Sequence, residues 1–285
     1  MRFSQRIGKR PVKDQLQIEA MDSDLKNGLW NVLHLAHFGK MDGNQIHFLD
    51  REDQEFIRTV QRSFFKLPLD ELPDWASHFV ARAKRWLYEA EWYDAFDFIE
   101  FVSQFDNDRD FPAVEEAFNK VLKQEVSGYR LLDGKVVQIT SEEEIAAVQI
   151  ALDTARKSRL PGVDEHLTAA LSKLSDKKNP DYRNSIKESI SAVESLAKVI
   201  SGDPKAELGK ALKTVESKVG LHPALKKGFS AIYGYTSDEG GIRHALLDTN
   251  DIDFEDAKYM LVSCSAFINY LVAKASKANQ SKSGT

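Results

Sequence analysis

Cysteine is nearly absent: Cys264 is the one thiol among 285 residues. A single thiol cannot close an intramolecular disulfide. Its setting in an apolar helical pattern marks it as a small buried hydrophobe in a reducing compartment. Long apolar runs are missing too. No stretch approaches the roughly 18 residues that a membrane-spanning helix needs, so no membrane partner is expected. Met1-Arg2-Phe3-Ser4-Gln5-Arg6 has no hydrophobic segment behind it. It does not read as a secretory signal, and a cytoplasmic protein is expected. The formal net charge of −5 and the pI of 5.9 exclude an overall basic surface but not a local basic patch. A Walker loop, a dinucleotide fingerprint and a Gly-x-Ser-x-Gly elbow are all lacking. Cysteine pairs and a His-Glu-x-x-His pattern are lacking as well. His34-x-x-His37 sets two imidazoles on one helix face, with His47 following, but metal binding usually needs three or four convergent ligands. No metal and no cofactor are expected. His78 and His166 are isolated.

What remains is an ordinary globular balance, 42% hydrophobic and 29% charged. The length suggests about two domains. The first thirteen residues carry Arg2, Arg6, Lys9, Arg10 and Lys13 without an acid. Such a run reads first as a solvated arm or one paired with the acidic body, and second as an arm that contacts nucleic acid.

Residues 23–38 read as a helix, with Leu25, Leu29, Val32, Leu33 and Ala36 on helical spacing. Gly39 to Gly43 breaks it. Residues 52–66 look helical again, and Pro68 and Pro73 punctuate the exit. Residues 74–104 are dense in aromatics, among them Trp75, Phe79, Trp86, Trp92, Tyr93, Phe96 and Phe98, and aromatics at helical spacing mean core. Asp110 before Phe111-Pro112 opens a helix through Lys123. Asp133-Gly134 between two apolar runs signals a hairpin over 129–139, because a type I′ turn needs positive φ at both central residues. Ser141 with Glu144 forms a capping box that starts a helix through Ile145, Val148, Leu152 and Ala155.

Pro161-Gly162 and Ser175 to Pro180 bracket a short helix, and the domain boundary is placed in that span. Beyond it, Ile186, Ile190, Val193, Ala197 and Ile200 form one stripe, and Leu208, Leu212, Val215 and Val219 another. His222-Pro223 opens a third helix. Asp253 caps a fourth, with Ala257, Leu261, Cys264, Ile268, Leu271 and Ala275 on its seam. Packing four such helices together buries all their stripes. The expected fold is therefore mostly α. A helical N-terminal domain with one small hairpin fills 1–158, a linker with a short helix fills 159–179, a four-helix bundle fills 180–278, and a disordered tail fills 279–285.

The densest chemistry lies in Tyr233-Gly234-Tyr235-Thr236-Ser237-Asp238-Glu239-Gly240-Gly241-Ile242-Arg243-His244, between the third and fourth bundle helices. An imidazole moves protons near neutral pH, and a guanidinium holds phosphate bidentately. His244 and Arg243 together suit metal-independent RNA cleavage, in which a 2′-hydroxyl attacks its own phosphate and a cation stabilises the pentacovalent transition state. Equally open is a structural role, with Arg243 paired to Asp238, Glu239 or another acid. Neighbouring helical residues point about 100° apart, so only one of the two faces a given site squarely. Tyr235, Asp238, Glu188, Glu194 and Arg183 are candidate supports. For Glu188 and Glu194 the plain alternative is a solvated helix face, and for Arg183 a cap.

Arg2-Phe3-Ser4-x-Arg6-Ile7-Gly8, Leu29-Trp30-Asn31 and Ile139-Thr140-Ser141-Glu142 resemble the N-terminal domain of AbiJ-type abortive-infection proteins of bacteria. Asn184 to Glu188, Ser191 to Ser195, His222-Pro223-Ala224-Leu225, Tyr233-Gly234-Tyr235 and Gly241-Ile242-Arg243-His244 are similar to the HEPN-like helical domain of those proteins. The resemblance implies a cytoplasmic phage-defence protein with a HEPN-like four-helix bundle, a class that often dimerises and often cuts RNA without metal. Implied partners are RNA, a second copy of the chain through the bundle, and a phage-derived trigger. HEPN ribonucleases usually carry an Arg four to six positions before the His. Here those positions are Asp238, Glu239 and Gly240, so the resemblance leaves two functions: a ribonuclease with a variant site, or a non-catalytic bundle that dimerises or binds a partner.

Overall fold

The computed structural model describes residues 3–9, 16–41, 43–103, 111–176, 181–237 and 252–283. Among them the chain is mostly helical with one two-stranded hairpin, as the sequence predicts. It divides into two compact units, residues 1–138 and 139–285.

The N-terminal unit contains α1 (Phe3–Arg6), α2 (Ser23–Leu33), α3 (Arg51–Thr59), α4 (Ala76–Glu89), α5 (Trp92–Ser103), α6 (Phe111–Gln124) and the strands β1 (Arg130–Leu132) and β2 (Lys135–Val137). Side-chain caps set the entries of two helices. Asp22 accepts from the Leu25 amide at 2.9 Å and Asp50 from the Asp53 amide at 2.8 Å. Both α2 and α3 run on into a π-helical turn, His34–Phe38 and Val60–Phe64, closed by i→i+5 bonds from Gly39 N–H to His34 and from Phe65 N–H to Val60.

Aromatic rings fill the core. Phe38, Phe79, Phe98 and Phe118 are fully buried. Phe98 lies 4.8 Å from Phe64 and 5.5 Å from Trp86, at tilted and edge-on angles that suit the ring quadrupole. Trp75 and Tyr93, expected in the core, are exposed instead. Gly28 lets α2 approach α6, since a Cβ there would stand 2.5 Å from Val121 Cγ1.

The hairpin has the expected turn: Asp133 and Gly134 both take positive φ, 51° and 72°. A two-stranded ribbon has two open edges, and side chains satisfy both. Asn119 donates to the Leu131 carbonyl at 2.6 Å and accepts from the Leu131 amide at 2.8 Å. Glu100 accepts from the Val136 amide at 2.6 Å.

The second unit contains α7 (Glu142–Lys157), α8 (Pro161–Ser175), α9 (Tyr182–Ser201), α10 (Leu208–Val219), α11 (Pro223–Ser237) and α12 (Phe254–Ser283). Ser141 caps α7, accepting from the Glu144 amide. Asp253 caps α12, accepting from Asp256 N–H at 3.0 Å. Helix α9 is the hub, packed by α8, α10 and α12. Its stripe Ile186, Ile190, Val193 and Ala197 is buried, as are Ala257, Leu261, Cys264, Ile268 and Leu271 of α12. Small residues let α8 and α9 come close. Ser185 Oγ donates to the Ala170 carbonyl at 2.8 Å, and a Cβ on Gly162 would meet Ser195 Oγ at 3.2 Å. Burial holds the Cys264 thiol well above its ordinary range, so it is protonated and inert.

Two expected boundaries differ from these contacts. The span 159–179 is not a linker: α8 packs on α9, and α7 packs on α8 and α12. Proline at the first position of α8 opens that helix rather than ending a domain. The bundle thus gains two helices before residue 180. The tail also differs, since α12 stays helical to Ser283, one residue before Gly284, the first glycine after residue 241.

The bundle should therefore depend on α7. Val148, Ala151, Leu152 and Ala155 are buried along it, and losing that burial costs on the order of 5 kcal/mol. A fragment of residues 139–285 is expected to unfold cooperatively, and one starting at 159 to unfold at markedly lower urea concentration by circular dichroism. Equal midpoints would mean that α7 adds nothing to the bundle.

Candidate functional site

Asp238, Arg243 and His244 lie outside the described residues. Their segment leaves α11 and enters α12. The two helices are joined by Phe229 and Phe267, whose rings stack at 3.9 Å and 13°. Tyr235 is in the last turn of α11. Of the other expected supports, Glu188 sits on the α9 face turned to α8, with Oε2 2.7 Å from His166 Nδ1. Glu194 pairs with Lys198 at 2.7 Å across one helical turn. Six residues of helix separate Glu188 from Glu194, which turns them about 120° apart, so they do not converge. Arg183 is half-buried in the first turn of α9, beside the cap formed by Asp181.

The structure adds a cleft that no sequence motif marks. In the N-terminal unit, the end of α2 with its π-helical turn, α3 and α6 enclose a cleft of about 750 Å³. Its apolar lining includes Val32, Met41, Phe56 and Val114, and its polar lining comprises His37, Lys40, Glu52, Asp53 and Glu55. The π-helical turn shapes it. On a regular helix His34 and His37 would share a face, but the widened turn gives them different neighbours. His37 stacks on Phe56, ring centroids 5.2 Å apart, and His34 lies beside Trp30 at 6.3 Å. Among the described residues no three His, Cys, Asp or Glu side chains gather as metal ligands.

Electrostatics in the cleft are tightly set. Lys40 Nζ is 2.7 Å from Asp53, a buried carboxylate. That hydrogen bond raises the Lys40 pKa, outweighing the lowering by partial burial, and keeps the ammonium charged. His37 is 8% exposed. Burial first, and the Lys40 charge second, push its pKa down to about 4, so the imidazole is neutral at pH 7. Further along α3, a second cleft of about 680 Å³ carries Arg58 and Arg62 together with Asp70 and Asp74.

His37 makes stability depend on pH with a definite sign. Its folded pKa lies below the unfolded value of 6.5. The unfolded chain therefore binds the proton first, and stability falls as pH drops from 6.5 to about 4. The shift corresponds to about 3 kcal/mol. Urea unfolding at pH 7 and pH 4 should show the wild type losing that much more than His37→Phe. Parallel losses in the two proteins would mean that His37 is already charged in the fold.

One sign of this cleft is legible in the sequence, the His34–His37 spacing. Lys40, Asp53 and Val114 carry no shared motif. The N-terminal unit as a whole is acidic: residues 1–138 hold 24 Asp and Glu against 19 Lys and Arg, whereas residues 139–285 hold 20 of each.

Comparison with known proteins finds a family for the first part of the chain. Residues 1–154 match the family described as AbiJ N-terminal domain 4. No curated protein and no solved structure matches the chain. The family match ends inside α7, which packs within the second unit. Among the described residues no helix is long and apolar enough to cross a membrane.

Proposed function

We propose, from the premise that this chain belongs to the AbiJ N-terminal domain 4 family, that it is an abortive-infection effector that cuts RNA without a metal. Membership gives it a defence context, and the match over residues 1–154 is the observation that carries the reading. In this reading the second unit is a HEPN-like bundle. His244 transfers the proton between the 2′-hydroxyl and the leaving oxygen, and Arg243 neutralises the charge that develops on the phosphorane. Tyr235 and Asp238 flank them, and two copies of the bundle bring two such segments together across a twofold axis. The cellular result is arrest of the infected host in the cytoplasm, set off by a phage-derived trigger.

Two features support this assignment of roles. Helices α11 and α12, which precede and follow the Arg243–His244 segment in the chain, are tied to each other by the Phe229–Phe267 stack. Glu188 and Glu194 are held by His166 and Lys198, which fits bundle stability rather than catalysis. The test is to incubate the purified chain with tRNA, ribosomal RNA and an unstructured RNA in EDTA. Cleavage is expected in EDTA. Its absence with all three substrates, with and without infected-cell extract, would favour the second reading, a non-catalytic bundle that dimerises or binds a partner.

A further inference from the structure

The cleft between the end of α2, α3 and α6 belongs to neither reading of the C-terminal unit. We propose that it is a docking site for a protein segment that presents an apolar side chain next to a lysine or arginine.

Charge decides the class of ligand. Among the described residues Lys40 is the one lysine or arginine lining the cleft, and Asp53 holds its ammonium at 2.7 Å. Among the described residues the lining leaves no unpaired cation for a phosphate, which disfavours a nucleic-acid backbone as the ligand. On the acidic side, Glu52 is exposed and makes no ion pair among the described residues. Glu55 is exposed too. It accepts from Thr59 Oγ1 at 3.2 Å and is 3.9 Å from Arg62, a long contact between two solvated groups. The imidazole of His37 is neutral and turned onto Phe56. The rim is therefore net negative, within a unit that is itself acidic, and it complements a cationic side chain.

Shape decides between a small molecule and a protein. Leu35 is on the cleft rim and is 84% exposed. A compact ligand seated on the floor would leave that leucine in water. A protein segment crossing the rim covers it and reaches the apolar floor in the same step. The π-helical turn His34–Phe38 carries both Leu35 outward and His37 inward. Turns of this kind sacrifice hydrogen-bond geometry and recur at functional positions.

The proposal is tested on the full chain with three fluorescent probes: a Leu/Lys amphipathic peptide, the same peptide with Glu for Lys, and a single-stranded RNA 12-mer. Anisotropy should report binding of the Leu/Lys peptide alone to the cleft. Leu35→Asp, and separately Glu52→Lys with Glu55→Lys, should each weaken it by about tenfold or more. All three positions are exposed, so the fold is spared. Glu89→Lys with Glu91→Lys, on exposed acids away from the cleft, should leave the affinity unchanged. Equal weakening by that control pair, equal affinity for the Leu/Glu peptide, or no binding of the Leu/Lys peptide would each overturn the proposal. RNA binding that Glu52→Lys with Glu55→Lys does not strengthen, but Lys40→Ala abolishes, would replace it with a nucleic-acid site.

Discussion

His244→Ala is expected to slow RNA cleavage by about 10²- to 10⁴-fold, the usual contribution of a positioned acid–base group. The expectation follows from the chemistry of the 2′-hydroxyl, which is a poor nucleophile until a base takes its proton. An imidazole can take up or release a proton near neutral pH and so serves either step. The wild type should therefore show a rate that varies with pH, and the variant should lose both the rate and that dependence. Arg243→Lys keeps the charge but loses the bidentate fork, so it should retain more activity than Arg243→Ala. In cells, the same order is expected for relief of growth arrest. Undiminished cleavage by His244→Ala would remove the imidazole from the reaction.

The second large effect is structural. Phe98→Ala should destabilise the N-terminal unit by about 3–5 kcal/mol, as phenylalanine-to-alanine cavities do. Phe98 is fully buried, and its ring is packed by Phe64, Phe65 and Trp86 at 4.8, 5.9 and 5.5 Å. Three aromatic neighbours cannot collapse into the void without leaving their own rotamers. All four tryptophans, Trp30, Trp75, Trp86 and Trp92, lie in residues 1–138. Tryptophan fluorescence in urea thus reports this unit alone, and its midpoint should fall sharply while the helical signal of the bundle keeps its own. A midpoint shift under 1 kcal/mol would mean that the aromatic cluster repacks, contrary to a close-packed core.

Elements governed by local chemistry were legible in the chain. Asp133-Gly134 specified the turn because both residues tolerate positive φ, and Ser141 and Asp253 specified helix starts because their oxygens reach the third amide on. The stripes of α9 and α12 were legible because burial repeats with the helical period. The π-helical turns were not. They insert one residue into a pattern whose apolar spacing still reads as α-helical, and only their closing bonds, from Gly39 to His34 and from Phe65 to Val60, distinguish them.

The position of α7 and α8 shows a second limit. Their apolar faces could be read, but the surfaces those faces cover could not. Pro161-Gly162 looked like a break, whereas contacts carry α7 onto α12 and α8 onto α9. The Asn269 amide donates to the Ala147 carbonyl at 2.9 Å across 122 positions, a pairing that no local window contains. The cleft is of the same kind, assembled from residues of α2, α3 and α6 that share no motif.

The amino-acid sequence alone determined the helical class, the hairpin, the helix caps and the concentration of an imidazole, a guanidinium and carboxylates before α12. Each of these depends on backbone preference or on side-chain type within a few residues. The tertiary structure decided the division after Gln138, the separate engagement of Glu188 and Glu194, and the acidic cleft around His37. Those depend on which distant faces exclude water together, and the free energy of burial belongs to the pair of surfaces rather than to either one.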